Sequence, residues 1–296
     1  MTLSLAFSAA LVQFAALSGP VPSLGDAPAL RFADVHLTTG VRLRYAEQGD
    51  PHGHPVILLH GYSDSWFSYS RVLPLLDPKY HVYGLDLRGH GDSDRPGSGY
   101  AMRDLAADVL GFMNDQRLAR VTVVGHSMGS IVAQQLALAA PERIARLVLI
   151  GATAAPAESP VLTELDSAVR SLGDSIPVEF VREFQAGTVH RPVPAGFMDR
   201  AVAESLKLPA GVWRELIAGM LAADPAVGLG GSRIPTLILW GDRDAVFSRA
   251  EQDAVVKMIP AAEFTVYPET GHAPHWERPQ AFVRDLHAFM DRTTSY

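Results

Sequence analysis

Short apolar runs recur along the chain at Val56 to Leu59, Val82 to Leu85, Val121 to Val124, Leu147 to Ile150, Thr236 to Trp240 and Phe264 to Tyr267, each ending in glycine or polar residues. Runs without in–out alternation predict strands covered on both faces, as in a parallel sheet between helical layers. Between them apolar residues return at helical spacing: Met102, Leu105, Ala106, Val109 and Met113, and later Phe282, Val283, Leu286, Phe289 and Met290. Strand and helix in alternation predict an α/β fold with a doubly wound, mostly parallel sheet. Phe32 to Tyr45 reads as an antiparallel hairpin leading in, with its turn at Thr39-Gly40.

The rhythm breaks once. After Ile150 the next convincing strand begins at Thr236, and the intervening span far exceeds an ordinary connection. It holds helix-like pieces at Leu162 to Leu172, Val178 to Phe184 and Val212 to Leu221, punctuated by Pro156, Pro177, Pro192, Pro194 and Pro209. The expected organisation is an apolar N-terminal extension (1–30), a first core segment (31–153), an inserted helical cap over the strand ends (154–232) and a second core segment (233–296).

Composition narrows the function classes. The 296 residues fit one large α/β unit or a core with an insertion, and 48% hydrophobic residues supply a sizeable core. A net charge of −7 with dispersed Lys and Arg gives no basic patch, so neither nucleic acid nor an acidic membrane surface is an expected partner. Without cysteine there is no disulfide, thiolate metal site or cysteine nucleophile. The first twenty residues are apolar enough for an export signal, but the first Lys or Arg is Arg31, so the charged start of such a signal is missing. They are read as a surface-packed helix and the protein as cytoplasmic, with export as the alternative. No other apolar run approaches the ~20 residues of a membrane span.

The stretch "VTVVGHSMGS" carries the strongest chemical signal. Gly125-His126-Ser127-Met128-Gly129 fits G-x-S-x-G, follows a strand and opens a helix-like run, Ser130 to Ala139. A sharp strand-to-helix turn leaves no space beside the serine, which explains the glycines and predicts a strained backbone at Ser127. A serine hydroxyl needs a base in reach and a third group to fix that base's tautomer. His272, in "PETGHAPHWERP", and Asp244, in "LILWGDRDAVF", both follow strands and are the expected partners. His275 and Asp242 are the alternatives; Asp242, so near Gly241, is better suited to hold its own loop. For the oxyanion, the backbone N–H groups of Tyr62, in "LLHGYS", and of Met128 are the expected donors.

Taken together, His60-Gly61-Tyr62, "DLRGHGDSD" from Asp86 to Asp94, GHSMG, "GDRD" and "GHAPHWERP" resemble the α/β-hydrolase superfamily, and within it the branch of capped bacterial serine esterases and C–C-bond hydrolases. The resemblance covers residues 31 to 291 in the expected order. It implies hydrolysis of small to medium apolar carboxylic esters through an acyl-enzyme, by Ser127, Asp244 and His272, without a cofactor or metal. A lactonase, a dienone C–C hydrolase and a slow-turnover hydrolase-fold ligand receptor are the alternatives. In similar proteins "DLRGHGDS" shapes a turn, which leaves Asp86, Arg88 and His90 outside the chemistry. Epoxide hydrolases and haloalkane dehalogenases resembling this chain use an aspartate where Ser127 stands, and the cap has no tyrosine to protonate an epoxide oxygen. The expected partner is a small-molecule ester. Phe180, Phe184, Phe197 and Trp213 are the cap aromatics expected to face it or to form cap core. His52 and His54, spaced H-x-H in "GDPHGHP", read as exposed turn residues rather than metal ligands.

Overall fold

A computed structural model describes residues 29–225 and 229–292. The apolar start of the chain, read above as a helix, lies outside the described residues. Eight strands form one sheet in the order β1-β2-β4-β3-β5-β6-β7-β8. They are β1 (Arg31–His36), β2 (Arg42–Gly49), β3 (His54–Leu59), β4 (Tyr80–Leu85), β5 (Val121–His126), β6 (Ile144–Ile150), β7 (Thr236–Gly241) and β8 (Glu263–Tyr267). β1 and β2 pair antiparallel, as does β2 with β4, and every pairing from β4 through β8 is parallel. The hairpin turn places Gly40 at φ +83°, a conformation that only glycine adopts at no steric cost.

The apolar runs behave as two-faced strands. Ile57, Leu59, Val123, Leu147, Leu149 and Ile238 enter one core cluster, and Val56, Leu58, Val124, Val148, Leu237 and Leu239 enter another on the opposite side of the sheet. The first cluster is closed by α1 (Met102–Asp115), α2 (Met128–Ala139) and α7 (Arg249–Met258), the second by the 3-10 turns after β3 and by α9 (Pro279–Met290). A short helix, α8 (Pro274–Glu277), precedes α9. β8 is half-covered, as befits an edge. His54 corrects its reading as an exposed turn residue: it opens β3, half-buried, with Nε2 2.8 Å from Thr122 Oγ1, while His52 alone stays exposed.

Between β6 and β7 stand α3 (Pro160–Ser171), α4 (Val178–Gly187), α5 (Ala195–Ser205) and α6 (Ala210–Leu221). Of the prolines that punctuate the sequence, Pro156 opens a 3-10 turn and Pro177, Pro194 and Pro209 stand just before helices, where a missing N–H costs nothing, while Pro192 lies in the loop before α5; Pro160 opens α3. α5 and α7 had no clear sequence signal, because half the residues of α7 are polar and α5 is rich in alanine. α3 packs on α6 and α4 on α5. The insert joins the first core cluster through Leu162, Val181, Trp213 and Leu216, and a Cβ on Gly219 of α6 would stand 2.1 Å from Tyr100 O, so α6 lies directly on the chain leading into α1. Among the described residues no helix is long and apolar enough to cross a membrane.

Candidate active site

The carboxyl ends of β3, β5, β7 and β8 converge on Ser127. That residue sits between β5 and α2 at φ 51° and ψ −117°, a region costly for any side chain. The corner is fixed on both sides. Ser127 N–H donates to Ile150 O at 2.9 Å, and Ser127 O accepts from Ser130 Oγ at 2.6 Å. The flanking glycines are steric necessities: a Cβ on Gly125 would lie 2.3 Å from Gly129 O, and one on Gly129 would lie 2.4 Å from Leu59 O and 2.6 Å from His60 O. That close approach sets the start of α2 against the end of β3. Met128, the first residue of α2, therefore offers one of the free N–H groups of a helix N-terminus beside the loop that carries Tyr62.

The histidine and acid come from two other strand ends. His272 Nδ1 lies 2.8 Å from Asp244 Oδ2, and both side chains are buried. Asp244 is itself held: its Oδ1 accepts from Val246 N–H at 2.8 Å and Phe247 N–H at 3.0 Å. With one oxygen committed to the backbone, the other accepts the Nδ1 proton and leaves Nε2 as the basic nitrogen. Nε2 is buried and makes no hydrogen bond among the described residues. Asp242, by contrast, points its carboxylate toward the exposed Arg243 at 3.9 Å, while its N–H holds the loop through Tyr267 O at 3.0 Å. His275 faces away, with Nε2 3.1 Å from Ser68 Oγ.

Ser127, His272 and Tyr62 line one narrow cavity beneath the inserted helices, with about 30 Å³ open to a water-sized sphere, to which the insert contributes Leu162, Leu165, Phe184, Gln185 and Met220. The Tyr62 ring is buried against Phe184 and Trp213 at centroid distances of 5.8 and 5.0 Å, and its hydroxyl donates to Trp213 O at 2.7 Å. Of the four aromatics of the insert, Phe184 reaches the cavity. Trp213 is wholly buried behind it, Phe180 packs on Trp213, and Phe197 stacks on Phe67 and meets Trp276 in a separate cluster.

Three polar groups at the site had escaped the sequence. Asp64, three residues after Gly61, lines the cavity and accepts from Gln185 Nε2 at 2.9 Å; burial, opposed by that bond, pushes its carboxyl up to about 6. Gln185 occupies the buried face of α4 with Val181, four residues before it, and a polar residue at an apolar-face position was its available signal. Glu277 bridges loop and insert: one oxygen accepts from Gly271 N–H at 2.8 Å and the other from Arg191 N–H at 2.7 Å. Beside it, His272 N–H donates to Thr188 O at 2.9 Å, so the histidine loop is tied to the chain leaving α4.

The "DLRGHGDS" segment forms a braced turn. Asp86 accepts from Trp66 and Asp92 N–H, each at 2.8 Å, and burial pushes its carboxyl up to about 7. Arg88 Nη2 donates to Asp108 Oδ1 at 2.6 Å, and His90 stacks edge-on against His60 at 4.6 Å. Burial holds both histidines low, His60 at about 4. None of these residues lines the cavity. Among the described residues no three His, Cys, Asp or Glu side chains gather as a metal site would require.

Known proteins were compared with this arrangement. A family model described as alpha/beta hydrolase fold matches residues 54–279. Epoxide hydrolase A of Mycobacterium tuberculosis is 40% identical over 109 residues, covering 36% of this chain and 33% of that protein, so the chain aligns with a third of that relative's length. The dihydrolipoyllysine-residue acetyltransferase component of the acetoin cleaving system of Cupriavidus necator is 30% identical over 294 residues, covering 90% and 71% of the two chains. Among solved structures, a thermophilic esterase from Thermogutta terrifontis superposes with a TM-score of 0.75 at 25% identity, over 88% of this chain and 98% of that one.

Proposed function

The chain belongs to the alpha/beta hydrolase fold family, and from that premise we propose that it is a hydrolase, a serine esterase of the carboxylesterase type. The observation that carries the reading is the cavity in which a serine on a strained corner and a histidine oriented by a buried aspartate face the same space.

In the proposed cycle, Ser127 Oγ attacks the ester carbonyl while His272 Nε2 takes its proton. Asp244 keeps Nδ1 protonated and stabilises the imidazolium. The N–H groups of Tyr62 and Met128 hold the oxyanion, an interaction worth about 3 to 4 kcal/mol per donor in mutated hydrolases. His272 then protonates the leaving alcohol, water attacks the acyl-enzyme with the same histidine as base, and the acid leaves. Apolar side chains on the insert side favour small to medium apolar acyl groups, with the inserted helices acting as a cap over residues 154–232. Serine at position 127 and the absence of tyrosine from that segment argue against epoxide opening by the route an aspartate nucleophile takes, despite the partial likeness to an epoxide hydrolase.

The test is a turnover panel with the full chain: ethyl and aryl esters graded in acyl length, γ- and δ-lactones, a dienone and an epoxide. Multiple turnovers on esters are expected, with lactones next because ring opening uses the same steps. Turnover confined to the dienone or the epoxide, or one acylation event without release, would overturn the esterase reading.

A further inference from the structure

The cavity beside Ser127 holds a carboxyl that the acyl-transfer cycle leaves unused. Asp64 is almost wholly buried, yet it lines the cavity. Its Oδ1 accepts from Gln185 Nε2 at 2.9 Å, and its Oδ2 has the Ser68 hydroxyl at the long distance of 3.4 Å. That hydroxyl has a single proton, which His275 Nε2 also faces at 3.1 Å. A carboxylate offers about four lone-pair directions. With the Gly61 backbone N–H also turned to the carboxyl, three donors face about four directions and Asp64 keeps one acceptor direction.

His126 supplies a second acceptor at the same place. Its Nε2 lies 3.1 Å from the carbonyl oxygen of His272, so Nε2 carries the proton and donates. Burial holds the ring well below the usual histidine range and hence neutral, which leaves Nδ1 as a bare lone pair. Among the described residues that buried atom has no partner. The two acceptors stand on either side of Gly61, where a Cβ would lie 3.0 Å from His126 Nδ1 and 3.1 Å from Asp64 Oδ2, so the glycine leaves the space beside both free of a side chain. Both residues line the cavity, and His126 immediately precedes Ser127 in the chain. A buried acceptor without a donor, such as His126 Nδ1, is costly, and a ligand that brings it a proton while bonding Asp64 relieves that cost.

We propose that Asp64 Oδ2 and His126 Nδ1 form a polar subsite for a substrate group that donates two protons, a neutral carboxamide or amino NH2, so that the enzyme selects esters bearing such a group over isosteres that only accept hydrogen bonds. The proposal rests on the esterase reading of Ser127 and adds to it the substrate class. A hydroxyl satisfies one of the two acceptors, and a methyl group neither. A second carboxylate is repelled by Asp64. A site built around hydrogen bonds discriminates more sharply than an apolar wall, which grades neighbouring chain lengths by small steps.

The experiment compares ethyl esters carrying a terminal carboxamide with their methyl-ketone isosteres, across one to four methylenes between the two carbonyls. In the wild type, kcat/KM is expected to favour the carboxamide by about tenfold or more at one spacing at least. In Asp64→Asn, Gln185 retains an oxygen to donate to, so the new NH2 turns toward the cavity and a donor replaces an acceptor. The preference is then expected to invert toward the ketone. Ratios near unity at every spacing in the wild type, or an unchanged preference in Asp64→Asn, would overturn the subsite; the wild-type ratios decide the matter even where the variant does not fold. Ethyl acetate hydrolysis and fluorophosphonate labelling of the wild type report separately on the esterase reading: their loss sinks that reading, whereas their presence with flat ratios sinks the subsite alone.

Discussion

The loops at the strand ends and the helices inserted between β6 and β7 meet across one cavity but are built on different principles. On the sheet side each functional atom is fixed by a second bond: Asp244 by two backbone N–H groups, His272 by Asp244 and Thr188, Ser127 by Ile150 and Ser130. On the helical side the cavity wall is mainly Leu162, Leu165, Phe184 and Met220, held by apolar packing, with Gln185 and Thr188 as its polar members. Directional bonds hold a geometry to fractions of an ångström, as bond making requires. Apolar contacts set volume and hydrophobicity, which grade substrates without choosing a reaction. Under the proposed function the sheet side specifies chemistry, and the helical side selects among substrates that undergo it.

Substitutions test the two halves of that contrast, beginning with the largest effect. His272→Ala should lower kcat for every ester by about 10⁶, the scale of the equivalent loss in a serine protease, with the cavity wall intact. Asp244→Asn should cost about 10⁴ in kcat with little change in KM, because the amide cannot accept from Val246 and Phe247 and also from His272 Nδ1. Asp242→Asn, on the exposed side of the same loop, should leave kcat within a few-fold of wild type. A large loss in Asp242→Asn with a small one in Asp244→Asn would reverse the assignment.

Glu277→Gln probes the join between the regions. Its carboxylate accepts one N–H from each side, Gly271 and Arg191, and a carboxamide can serve only one of them. The expected cost is about 1 to 3 kcal/mol of stability, read as a lower melting temperature, with kcat falling more than KM rises because the adjoining His272 is released. If kcat keeps its wild-type value and pH profile, Glu277 acts on stability alone.

Acid should reach the sheet side first. His60, His90, His126 and His275 are buried and held below the ordinary value of 6.5 by burial, His60 to about 4. A group with a depressed folded pKa contributes stability that is present above 6.5 and lost as pH falls through the folded value. Asp86 and Asp64, raised by burial to about 7 and about 6, act in the opposite sense: their contribution is present below the ordinary 3.8 and lost as pH rises through those values. With His54 and His287 also lowered and Glu277 also raised by burial, six histidines outweigh three carboxyls, so the melting temperature should fall between pH 7 and pH 5. His60 and His90 lie in strand-end loops, His126 ends β5 and His275 lies in α8 beyond β8, all on the sheet side, so hydrogen exchange on acidification should rise at the start of α2 before it rises in α3 and α6. Simultaneous loss of protection in both would remove the distinction.

The smallest expected effects lie on the helical side. Phe184→Ala should shift relative kcat/KM among acyl lengths by about 1 to 3 kcal/mol at most while ethyl acetate turnover persists. Trp213→Ala, behind it, should act through packing, with about 3 to 5 kcal/mol of stability lost and little change in chain-length preference at temperatures where it stays folded. A selectivity change in Trp213→Ala larger than in Phe184→Ala would mean the wall is shaped from behind.

The same contrast governs what could be read from the chain alone. The strands were legible because both their faces are buried, so Val121 to Val124 and Thr236 to Trp240 appear as unbroken apolar runs. Ser127 was legible because close approach of β3 and β5 to α2 admits only glycine at positions 125 and 129, and that steric demand is local in sequence. The helical insert was visible as an interruption, but α5 carried no clear pattern. Which aromatic reaches the cavity depends on how α3 to α6 pack, a tertiary fact: Phe184 and Phe180 lie one helical turn apart, yet Phe184 faces the cavity and Phe180 packs on Trp213. Asp64 went unread because nothing in "HGYSDSW" distinguishes a buried carboxyl from one that ends a turn in solvent.

The most direct measurement is mass spectrometry of the full chain after reaction with a fluorophosphonate, followed by peptide mapping, on wild type and on Ser127→Ala. One adduct at Ser127, with adduct and ester turnover both lost in Ser127→Ala while its melting temperature stays close to wild type, is the predicted result. An adduct on another residue, or ester turnover that survives in a folded Ser127→Ala, would contradict it.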